Sequence, residues 1–481
     1  MRRDLSLRPP RSAAAGAIAV LCAFTIAAGF TVSRLLPGRL ALWQMPRISA
    51  GRLTGADQVL GPATGTASGG AGATAAGVAS AIGPVVSSPE FGPQLGVLVT
   101  DMATGRVLYA RNPAAGFAPA STNKLATAIA ALQVLGPSAR FRTTVVAGPG
   151  ASSIVLVGGG DPTLAAGAPP SSDYPQPATL AKLARQTARA LRARGRHSVR
   201  LAYDVSLYAG SGLAPSWPHS YVTTGNVSVI TPLEADQGRV TRTGAPADNE
   251  ASSGTRSANP AALAAASFAG FLRADGITVR GAAGQATAPA GSRPVASVES
   301  PPLTEIVQWM LEQSNNVIAE NLARHVAIAT RRAASFSGAA GAVTAVLHGL
   351  GVTGELSLTD GSGLSPADRI SPAVLVRLIG LAASHPRLRS VLTGLPVEGF
   401  SGTLMRGSSV FGLGGRAGFG VVRAKTGNLT TVAALAGTVE ASNGQLFAFA
   451  VMADKVPAAS LGNAATTMVR LAGTLAGCGC R

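Results

Sequence analysis

The sequence predicts an α+β protein in which both ends of the globular part contribute strands to one antiparallel sheet. Near the first end, Leu95-Gly-Val-Leu-Val-Thr-Asp-Met and Arg106-Val-Leu-Tyr are strand patterns joined by turn residues, so they form a hairpin. Near the other end, segments 421–425, 429–439 and 445–452 are strand-like, and a helical pattern covers 458–475. Strands at both ends with helical patterns between them are typical of an antiparallel sheet covered by helices.

Residues 1–36 are predicted to be a cytoplasmic tip followed by a membrane anchor. The uncharged stretch from Ser12 to Val32 is flanked by Arg11 and Arg34, and about twenty apolar residues span ~30 Å as a helix. No small-residue cleavage site follows the stretch, which favours an uncleaved anchor over a signal peptide. The rest of the chain is then expected to be extracytoplasmic, or secreted if the segment is removed.

Residues 37–88 are predicted to be a flexible linker. The run from Gly61 to Ala81 is almost entirely Gly, Ala, Ser and Thr, with little apolar surface to bury. Beyond it, residues 89–157 and 298–481 are expected to form one discontinuous main domain. Residues 158–297 are expected to form a large, mainly β insert that also holds helical patches at 179–194 and 260–275.

The composition excludes some classes of protein. The formal net charge is +18, but the arginines are scattered without interleaved aromatics, so nucleic acid is not the expected partner. A surface facing anionic polymers or lipid is the interpretation favoured instead. Cys478 and Cys480 could form a strained bridge or bind metal, but an exposed tail is favoured. The five histidines show no metal-binding spacing.

A serine and a lysine mark the start of a predicted helix, in Ser121-Thr122-Asn123-Lys124. Their spacing of three residues puts both side chains on one face of the helix. Serine needs a neighbouring base to become a nucleophile, and a lysine can be that base when burial favours its neutral form. Only four lysines occur among the 40 basic residues, so their positions are informative. The pair predicts a serine acyl-transferase.

Two further motifs strengthen this prediction. Lys425-Thr426-Gly427 is expected at the end of a strand, where Gly427 leaves room for a substrate backbone to pair alongside. Ser314-Asn315-Asn316 interrupts two helical segments, a place where side chains can be exposed to a ligand. Each motif alone is a weak signal, and the weight comes from the order Ser-x-x-Lys, Ser-x-Asn, Lys-Thr-Gly.

With these three motifs, the chain resembles the active-site-serine penicillin-recognising enzymes. The separation of 193 residues between Ser121 and Ser314 makes it similar to the low-molecular-mass class C penicillin-binding proteins, which are D-alanyl-D-alanine carboxypeptidases and endopeptidases. The resemblance covers about residues 94–475. Further matching stretches are Phe117-Ala-Pro-Ala-Ser-Thr-Asn-Lys-Leu, Gly158-Gly-Gly-Asp-Pro-Thr-Leu, Ser300-Pro-Pro-Leu, Ser314-Asn-Asn-Val-Ile-Ala-Glu, Asp360-Gly-Ser-Gly-Leu-Ser, Gly402-Thr-Leu and Ala424-Lys-Thr-Gly.

The resemblance implies a β-lactamase-like transpeptidase fold and a catalytic role for three residues. Ser121 would attack the carbonyl between the two terminal D-alanines of a peptidoglycan stem peptide and form an acyl-enzyme. Lys124 would take the serine proton, and Ser314 would relay a proton towards the leaving amine. β-Lactam antibiotics would be covalent inhibitors. No cofactor and no metal are expected.

The resemblance also implies how the substrate is held. Substrate-binding roles fall on Asn316, Lys425, Thr426 and Gly427. The backbone N–H groups of Ser121 and Asn428 would form the oxyanion hole. The family usually has Thr or Ser where this chain has Asn428, and its inserted domains are often larger. An altered substrate preference is therefore expected, with function preserved.

Two alternatives remain open at this point. A β-lactamase is disfavoured because no Glu-x-x-Leu-Asn stretch is present to position a deacylating water. A non-catalytic wall-binding scaffold of the same fold is disfavoured by the intact Ser121, Lys124 and Lys425. Asp161 and Asp360 lie in Gly-rich turns and are expected to cap those turns. The Gly412-Leu-Gly-Gly-Arg-Ala stretch is not expected to bind a dinucleotide, because a strand follows it.

Overall fold

A five-stranded antiparallel sheet joins the two ends of the described chain. The computed structural model describes residues 72–150, 152–240, 255–407 and 414–481. The strands are β1 (Gln94–Asp101), β2 (Val107–Arg111), β3 (Arg142–Ala147), β4 (Ser153–Val157), β5 (Ser198–Asp204), β6 (Thr278–Val279), β7 (Gly284–Gln285), β8 (Pro294–Glu299), β9 (Leu356–Ser357), β10 (Arg369–Ile370), β11 (Val422–Leu429), β12 (Val432–Glu440) and β13 (Leu446–Asp454). The order in this first sheet is β11-β12-β13-β1-β2, which confirms the predicted α+β sheet built from both ends.

Helices cover both faces of this sheet. The helices are α1 (Ala75–Val86), α2 (Lys124–Leu135), α3 (Leu180–Arg192), α4 (Ser220–Thr223), α5 (Pro260–Ala274), α6 (Leu303–Glu312), α7 (Asn316–Ala329), α8 (Phe336–Gly349), α9 (Pro372–Ser384), α10 (Ser390–Thr393) and α11 (Leu461–Gly477). Successive side chains of a strand point to opposite faces, so β12 contributes residues to two separate hydrophobic cores. Ala434 and Ala436 face the core of α2, α7 and α9, whereas Leu435 faces the core of α1 and α11.

Helix α7 lies at the centre of the helical layer and is buried on all sides over residues 316–327. The side chain of Asn315 caps it by accepting a hydrogen bond from Ile318 N at 3.0 Å. Between α6 and α7, Ser314 has a φ of +58°, so the chain turns sharply there. The predicted interruption at Ser314-Asn315-Asn316 is confirmed.

A second sheet, with strand order β6-β5-β4-β3-β8, runs through the inserted region. Helices α3 and α5 pack on it, close to the predicted helical patches. The prediction that residues 158–297 are mainly β is wrong. Within the described part of this range, α3 and α5 span 13 and 15 residues, whereas the longest strand, β5, spans seven. The strand patterns in the sequence of this region correspond to short strands. Helices α3 and α5 supply much of the hydrophobic core that these strands share.

Strands β3 and β4 belong to this second sheet although they precede residue 158. β3 pairs with β8 from Arg142↔Glu299 onward, so the chain enters and leaves the sheet through neighbouring strands. The second sheet therefore begins at Arg142. The division into domains at 157–158 and 297–298 stays a prediction.

The predicted flexible linker is wrong for residues 75–86, which form α1. Thr74 caps this helix by accepting a hydrogen bond from Gly77 N at 2.9 Å, and alanine is the best helix former. Val78, Ile82 and Val86, each four residues apart, are buried against the core that includes α11. A sparse apolar stripe in an Ala-rich segment is enough to fold because a partner surface covers it.

The C-terminal tail also packs against α1. Cys478 and Cys480 form a disulfide, and Cys480 is buried with its carbonyl oxygen accepting from Thr74 N at 2.7 Å. The favoured interpretation of an exposed tail is therefore wrong. In the described ranges, no helix is long and apolar enough to cross a membrane. The predicted anchor lies outside those ranges.

We predict that Ile82→Ala lowers the free energy of unfolding by about 2–4 kcal/mol, because it removes fully buried methylene groups and leaves a cavity between α1 and α11. Urea denaturation of the two proteins measures the difference. Ser80→Ala, an exposed change on the same helix, is the control and should stay within about 0.5 kcal/mol. An Ile82→Ala loss as small as the control's would mean that α1 does not belong to the folded core.

Candidate active site

Ser121 lies in a tight turn of 3₁₀ helix, Ala120–Asn123, that runs directly into α2. Ala120 has a φ of +46°, a backbone conformation that is unfavourable for a residue with a Cβ. Strain of this kind persists where the surroundings determine the backbone, and it is often found at functional sites. The turn presents a half-buried Ser121 next to the buried Lys124.

The Lys124 amine is buried and surrounded by oxygen atoms. Its Nζ donates to Ser121 Oγ at 2.7 Å, to Asn316 Oδ1 at 2.6 Å and to the Ser362 carbonyl at 3.0 Å. These partners come from three different segments, so the lysine joins α2 to α7 and to the 360–363 turn. The structure thus brings the first two predicted motifs together around one amine.

A second buried lysine holds the other predicted serine. Lys425 Nζ donates to Ser314 Oγ at 2.7 Å and to the Thr426 carbonyl at 2.8 Å. Asn316, two residues after Ser314, is the residue that reaches Lys124, so the Ser314–Asn316 segment connects both lysines. All three predicted motifs therefore meet in one buried cluster.

The Lys-Thr-Gly motif lies inside β11, not at its end, since the strand continues to Leu429. Thr426 Oγ1 is 2.7 Å from Thr403 Oγ1, which belongs to the matching Gly402-Thr-Leu stretch. Gly427 allows β11 to lie against the backbone of the Ser121 turn. A Cβ at this position would lie 2.7 Å from the Pro119 carbonyl oxygen and 3.1 Å from Ser121 N. The side chain of Asn428 is exposed.

Two backbone carbonyls from outside the three motifs complete the site, and side-chain chemistry did not identify either of them. Asn316 Nδ2 donates to the carbonyl of Asn226, which belongs to the inserted region, at 2.9 Å. The other is the Ser362 carbonyl on Lys124. Every residue type carries a carbonyl, so the only available signal was the stretch Asp360-Gly-Ser-Gly-Leu-Ser around the second one.

Buried carboxyl groups fix the 360–363 turn. Glu320 of α7 accepts from Ser362 N at 2.7 Å and from Gly361 N at 3.0 Å. Asp360 accepts from Gly363 N at 2.6 Å and from Trp217 Nε1 at 2.8 Å, so the prediction that it caps its turn is confirmed. Burial, and then the neighbouring Asp360, raise the pKa of both Glu320 and Asp368 above the usual range of a carboxyl. These groups hold the turn whose carbonyl binds Lys124.

The inserted region contacts α7 through a buried polar network. Tyr208 Oη donates to Asn321 Oδ1 at 2.7 Å, and Asn321 Nδ2 donates to Glu234 Oε1 at 3.1 Å. His325 Nε2 donates to the Gly160 carbonyl at 2.9 Å. Burial raises the pKa of Glu234 to about 7 and lowers the pKa of His325 to about 4. Uncharged forms are therefore favoured at this contact.

Asp161 lies in the same region and accepts from Thr163 N at 2.8 Å and from Thr163 Oγ1 at 2.6 Å. Its predicted role as a turn cap is confirmed. Burial raises its pKa to about 6. Across the described ranges, no group of three or more His, Cys, Asp or Glu side chains could hold a metal ion.

Comparison with known proteins agrees with this arrangement of motifs. The profile of the D-Ala-D-Ala carboxypeptidase 3 (S13) family matches residues 78–255 and 240–475. The chain belongs to this family. The resemblance to class C penicillin-binding proteins is thereby confirmed, and this S13 protein is a serine hydrolase by family.

Two curated relatives match most of this S13 protein. The carboxypeptidase DacB of Mycolicibacterium smegmatis is 36% identical over 399 residues, which cover 81% of this chain and 82% of the relative. The D-alanyl-D-alanine carboxypeptidase of Actinomadura sp. is 31% identical over 429 residues, covering 74% and 77%.

The fold is that of a solved penicillin-binding protein. The crystal structure of penicillin binding protein 4 from Haemophilus influenzae matches with a TM-score of 0.66 at 21% identity. The match covers 82% of this chain and 98% of that one. At this identity the likeness shows the fold alone.

We predict a pH-dependent contribution of Glu234 to the stability of this S13 protein. Its pKa is about 7 in the folded state against an ordinary value of 4.5, so the folded state binds this proton more tightly than the unfolded chain. The stabilisation is full below pH 4.5 and is lost as the pH rises to 7. The difference in unfolding free energy between wild type and Glu234→Gln should therefore fall by up to about 3 kcal/mol between pH 5 and pH 8.

Urea denaturation at several pH values in this range measures the difference. Glu440→Gln, the same change at the exposed end of β12, is the matched control and should alter the unfolding free energy by no more than about 0.5 kcal/mol. A flat profile for Glu234→Gln as well would contradict the assignment of a buried, protonated carboxyl at this contact.

Proposed function

We propose that this protein is a serine D-alanyl-D-alanine carboxypeptidase that removes the last D-alanine from peptidoglycan stem peptides. The observation that carries the proposal is the 2.7 Å hydrogen bond between the buried Lys124 amine and Ser121 Oγ, in a chain of the S13 family. A nucleophile within hydrogen-bonding distance of its base is the requirement for covalent catalysis by serine. The names of the matched relatives support the substrate class.

Acylation begins at Ser121. Its Oγ attacks the carbonyl carbon between the two D-alanines while the proton moves to Lys124 Nζ. For this the amine must be neutral, so that it donates to Asn316 Oδ1 and the Ser362 carbonyl and accepts from the Ser121 hydroxyl. Desolvation favours the neutral amine, and Lys124 is completely buried. The tetrahedral intermediate collapses as the C–N bond breaks, and the proton held by Lys124 passes through the Ser314 hydroxyl to the leaving amine, which leaves Lys124 neutral again. D-Alanine departs and an ester links Ser121 to the rest of the peptide.

Substrate binding is assigned to groups beside the two serines. Asn316 Oδ1 accepts from Lys124, and a carbonyl oxygen has a second lone pair with which to accept from a substrate backbone amide. Lys425 and Thr426 would bind the terminal carboxylate, with Thr403 orienting the Thr426 hydroxyl. A peptide that ends in a free carboxylate is the substrate that these groups favour.

The oxyanion hole is assigned to the backbone N–H groups of Ser121 and Asn428. The close approach of Gly427 to the Ser121 turn supports this, because it brings β11 beside the nucleophile. In deacylation, water attacks the ester carbon and gives its proton to Lys124, and Ser121 Oγ leaves with a proton. The peptide is released one residue shorter.

We predict that the wild-type protein forms a stable covalent adduct with a fluorescent penicillin and that Ser121→Ala forms none, because the ester to Oγ cannot exist. Fluorescence of the denatured protein on a gel measures the adduct. Ser384→Ala, an exposed serine at the end of α9, is the control and should label like wild type. The structure of Haemophilus influenzae penicillin binding protein 4 in complex with a β-lactam supports β-lactam binding by this protein.

Two outcomes would contradict the proposal. An adduct that is hydrolysed rapidly would favour a β-lactamase. An absence of labelling in the wild type would contradict both the carboxypeptidase and the β-lactamase proposals. The rate of D-alanine release from a pentapeptide is then compared with the rate of cleavage of cross-linked dimers. This comparison distinguishes carboxypeptidase from endopeptidase action. Carboxypeptidase action predicts faster release of D-alanine, since the binding groups above need a terminal carboxylate.

We also infer that residues 12–32 anchor the protein in the cell membrane, with the catalytic part outside the cytoplasm. The support is the length of the uncharged stretch and the extracellular position of a peptidoglycan substrate. The full chain should stay in the membrane fraction after washing at alkaline pH, whereas a chain lacking residues 1–36 should be released. A full chain found in the soluble fraction would contradict the anchor.

A further inference from the structure

Helix α3 of the inserted region is sharply amphipathic. One face is buried on the second sheet and α5, and its buried apolar residues are Leu180, Ala181, Leu183, Ala184, Ala188 and Leu191. The opposite face carries Lys182, Arg185, Arg189 and Arg192, all exposed. Steps of three, four and three residues align these four side chains in one row, about 15 Å long at 1.5 Å per residue. We call this row the basic stripe.

Further cations extend the basic stripe beyond the end of α3. Arg194 is exposed, and Arg200 is exposed on the neighbouring β5. Arg192 donates to the Asp275 carbonyl, and Arg280 Nε donates to Ser198 Oγ at 2.8 Å, so the end of the stripe lies near β5 and β6. No Asp or Glu occurs between residues 175 and 203. The segment that carries the basic stripe is therefore charged with one sign only.

No ion pair within the part of the chain that the structure describes neutralises the basic stripe. Among residues 72–150, 152–240, 255–407 and 414–481, no carboxylate forms an ion pair with any of its four side chains. Cations three and four residues apart on a helix repel one another and weaken the helix. Such a row is stabilised when a ligand supplies negative charge along it.

We propose that the basic stripe binds a linear polymer of the cell envelope whose negative charges are phosphodiester groups spaced along the chain. Three of its four cations are arginines, whose planar guanidinium groups bind phosphate oxygens in pairs. The charges form a line, which fits a chain of phosphates. The location in the envelope rests on the proposed function, because the substrate of that reaction is the cell wall.

A membrane surface fits the basic stripe less well. Helices that bind in the plane of a membrane insert an apolar face among the lipids. The apolar face of α3 is already buried against the second sheet and α5, where Leu183 is 0% and Leu191 is 1% exposed. An interaction through charge alone, strongly dependent on salt, is what the stripe can provide.

The test measures binding of the full chain, in a neutral detergent, to fluorescently labelled poly(glycerol phosphate) by fluorescence anisotropy. Affinity should fall steeply as salt rises from low to moderate concentration, since counterions are released on binding. The variant Lys182→Gln/Arg185→Gln/Arg189→Gln/Arg192→Gln should bind roughly tenfold or more weakly at low salt. Both proteins should release D-alanine from a soluble pentapeptide at equal rates, which shows that the variant is folded.

A matched control removes the same charge elsewhere. Arg332→Gln/Arg377→Gln/Arg387→Gln/Arg389→Gln changes four exposed arginines of the helical layer and should retain wild-type affinity within about twofold. Ser121→Ala should bind the polymer like wild type, so the binding result does not depend on the catalytic proposal. Equal losses in the two quadruple variants would overturn the assignment to α3.

Two other anionic ligands, polyglutamate and micelles that contain phosphatidylglycerol, test whether binding requires a phosphodiester polymer. Equal affinity of the wild type for polyglutamate would overturn the preference for phosphate. Binding to mixed micelles of phosphatidylglycerol that depends on the stripe, with no stripe-dependent binding of the polymer, would overturn the proposal in favour of membrane lipid.

Discussion

The burial of two lysines beside two serines is the constraint on which the rest of the structure depends. A buried amine must be surrounded by oxygen atoms, because an unsatisfied polar group in a protein interior is costly. Lys124 meets this requirement with oxygens from the Ser121 turn, from α7 and from the 360–363 turn. Lys425 meets it with Ser314 and its own strand. Each lysine therefore fixes the position of a serine, and the segment 314–316 ties the two lysines together.

Layers of polar contacts around this cluster explain why a large insert can influence a small site. Glu320 holds the turn that carries the Ser362 carbonyl, and it lies four residues after Asn316 on the same buried helix. The insert meets this helix through Asn321 and supplies the Asn226 carbonyl to Asn316. A shift of the insert relative to α7 would therefore move the Asn316 carboxamide, and this would change its hydrogen bond to Lys124.

The sequence predicted the parts that depend on side-chain chemistry. Ser121, Lys124, Ser314 and Lys425 were identifiable because lysine is rare in this chain and because three motifs occur in order. Carbonyl groups such as that of Asn226 were not, since the backbone of any residue provides them and only the fold brings them near. The α1 segment was mistaken for a linker for a related reason. Its three apolar residues are too few to fold alone, and the surface of α11 that covers them is almost 400 residues away in sequence.

The position of β11 at the edge of the first sheet explains why Asn428 can replace the usual Thr or Ser. Part of this edge is covered, because Ala424 N donates to the Pro396 carbonyl and Val397 pairs with Arg423. The covering segment is thus paired with the residues before the Lys-Thr-Gly motif, and the motif itself lies beside the Ser121 turn, where Gly427 permits close contact. An extended peptide that lies along such an edge is recognised through backbone groups. In the proposed mechanism, position 428 supplies only its backbone N–H near Ser121, so its exposed side chain is free to differ.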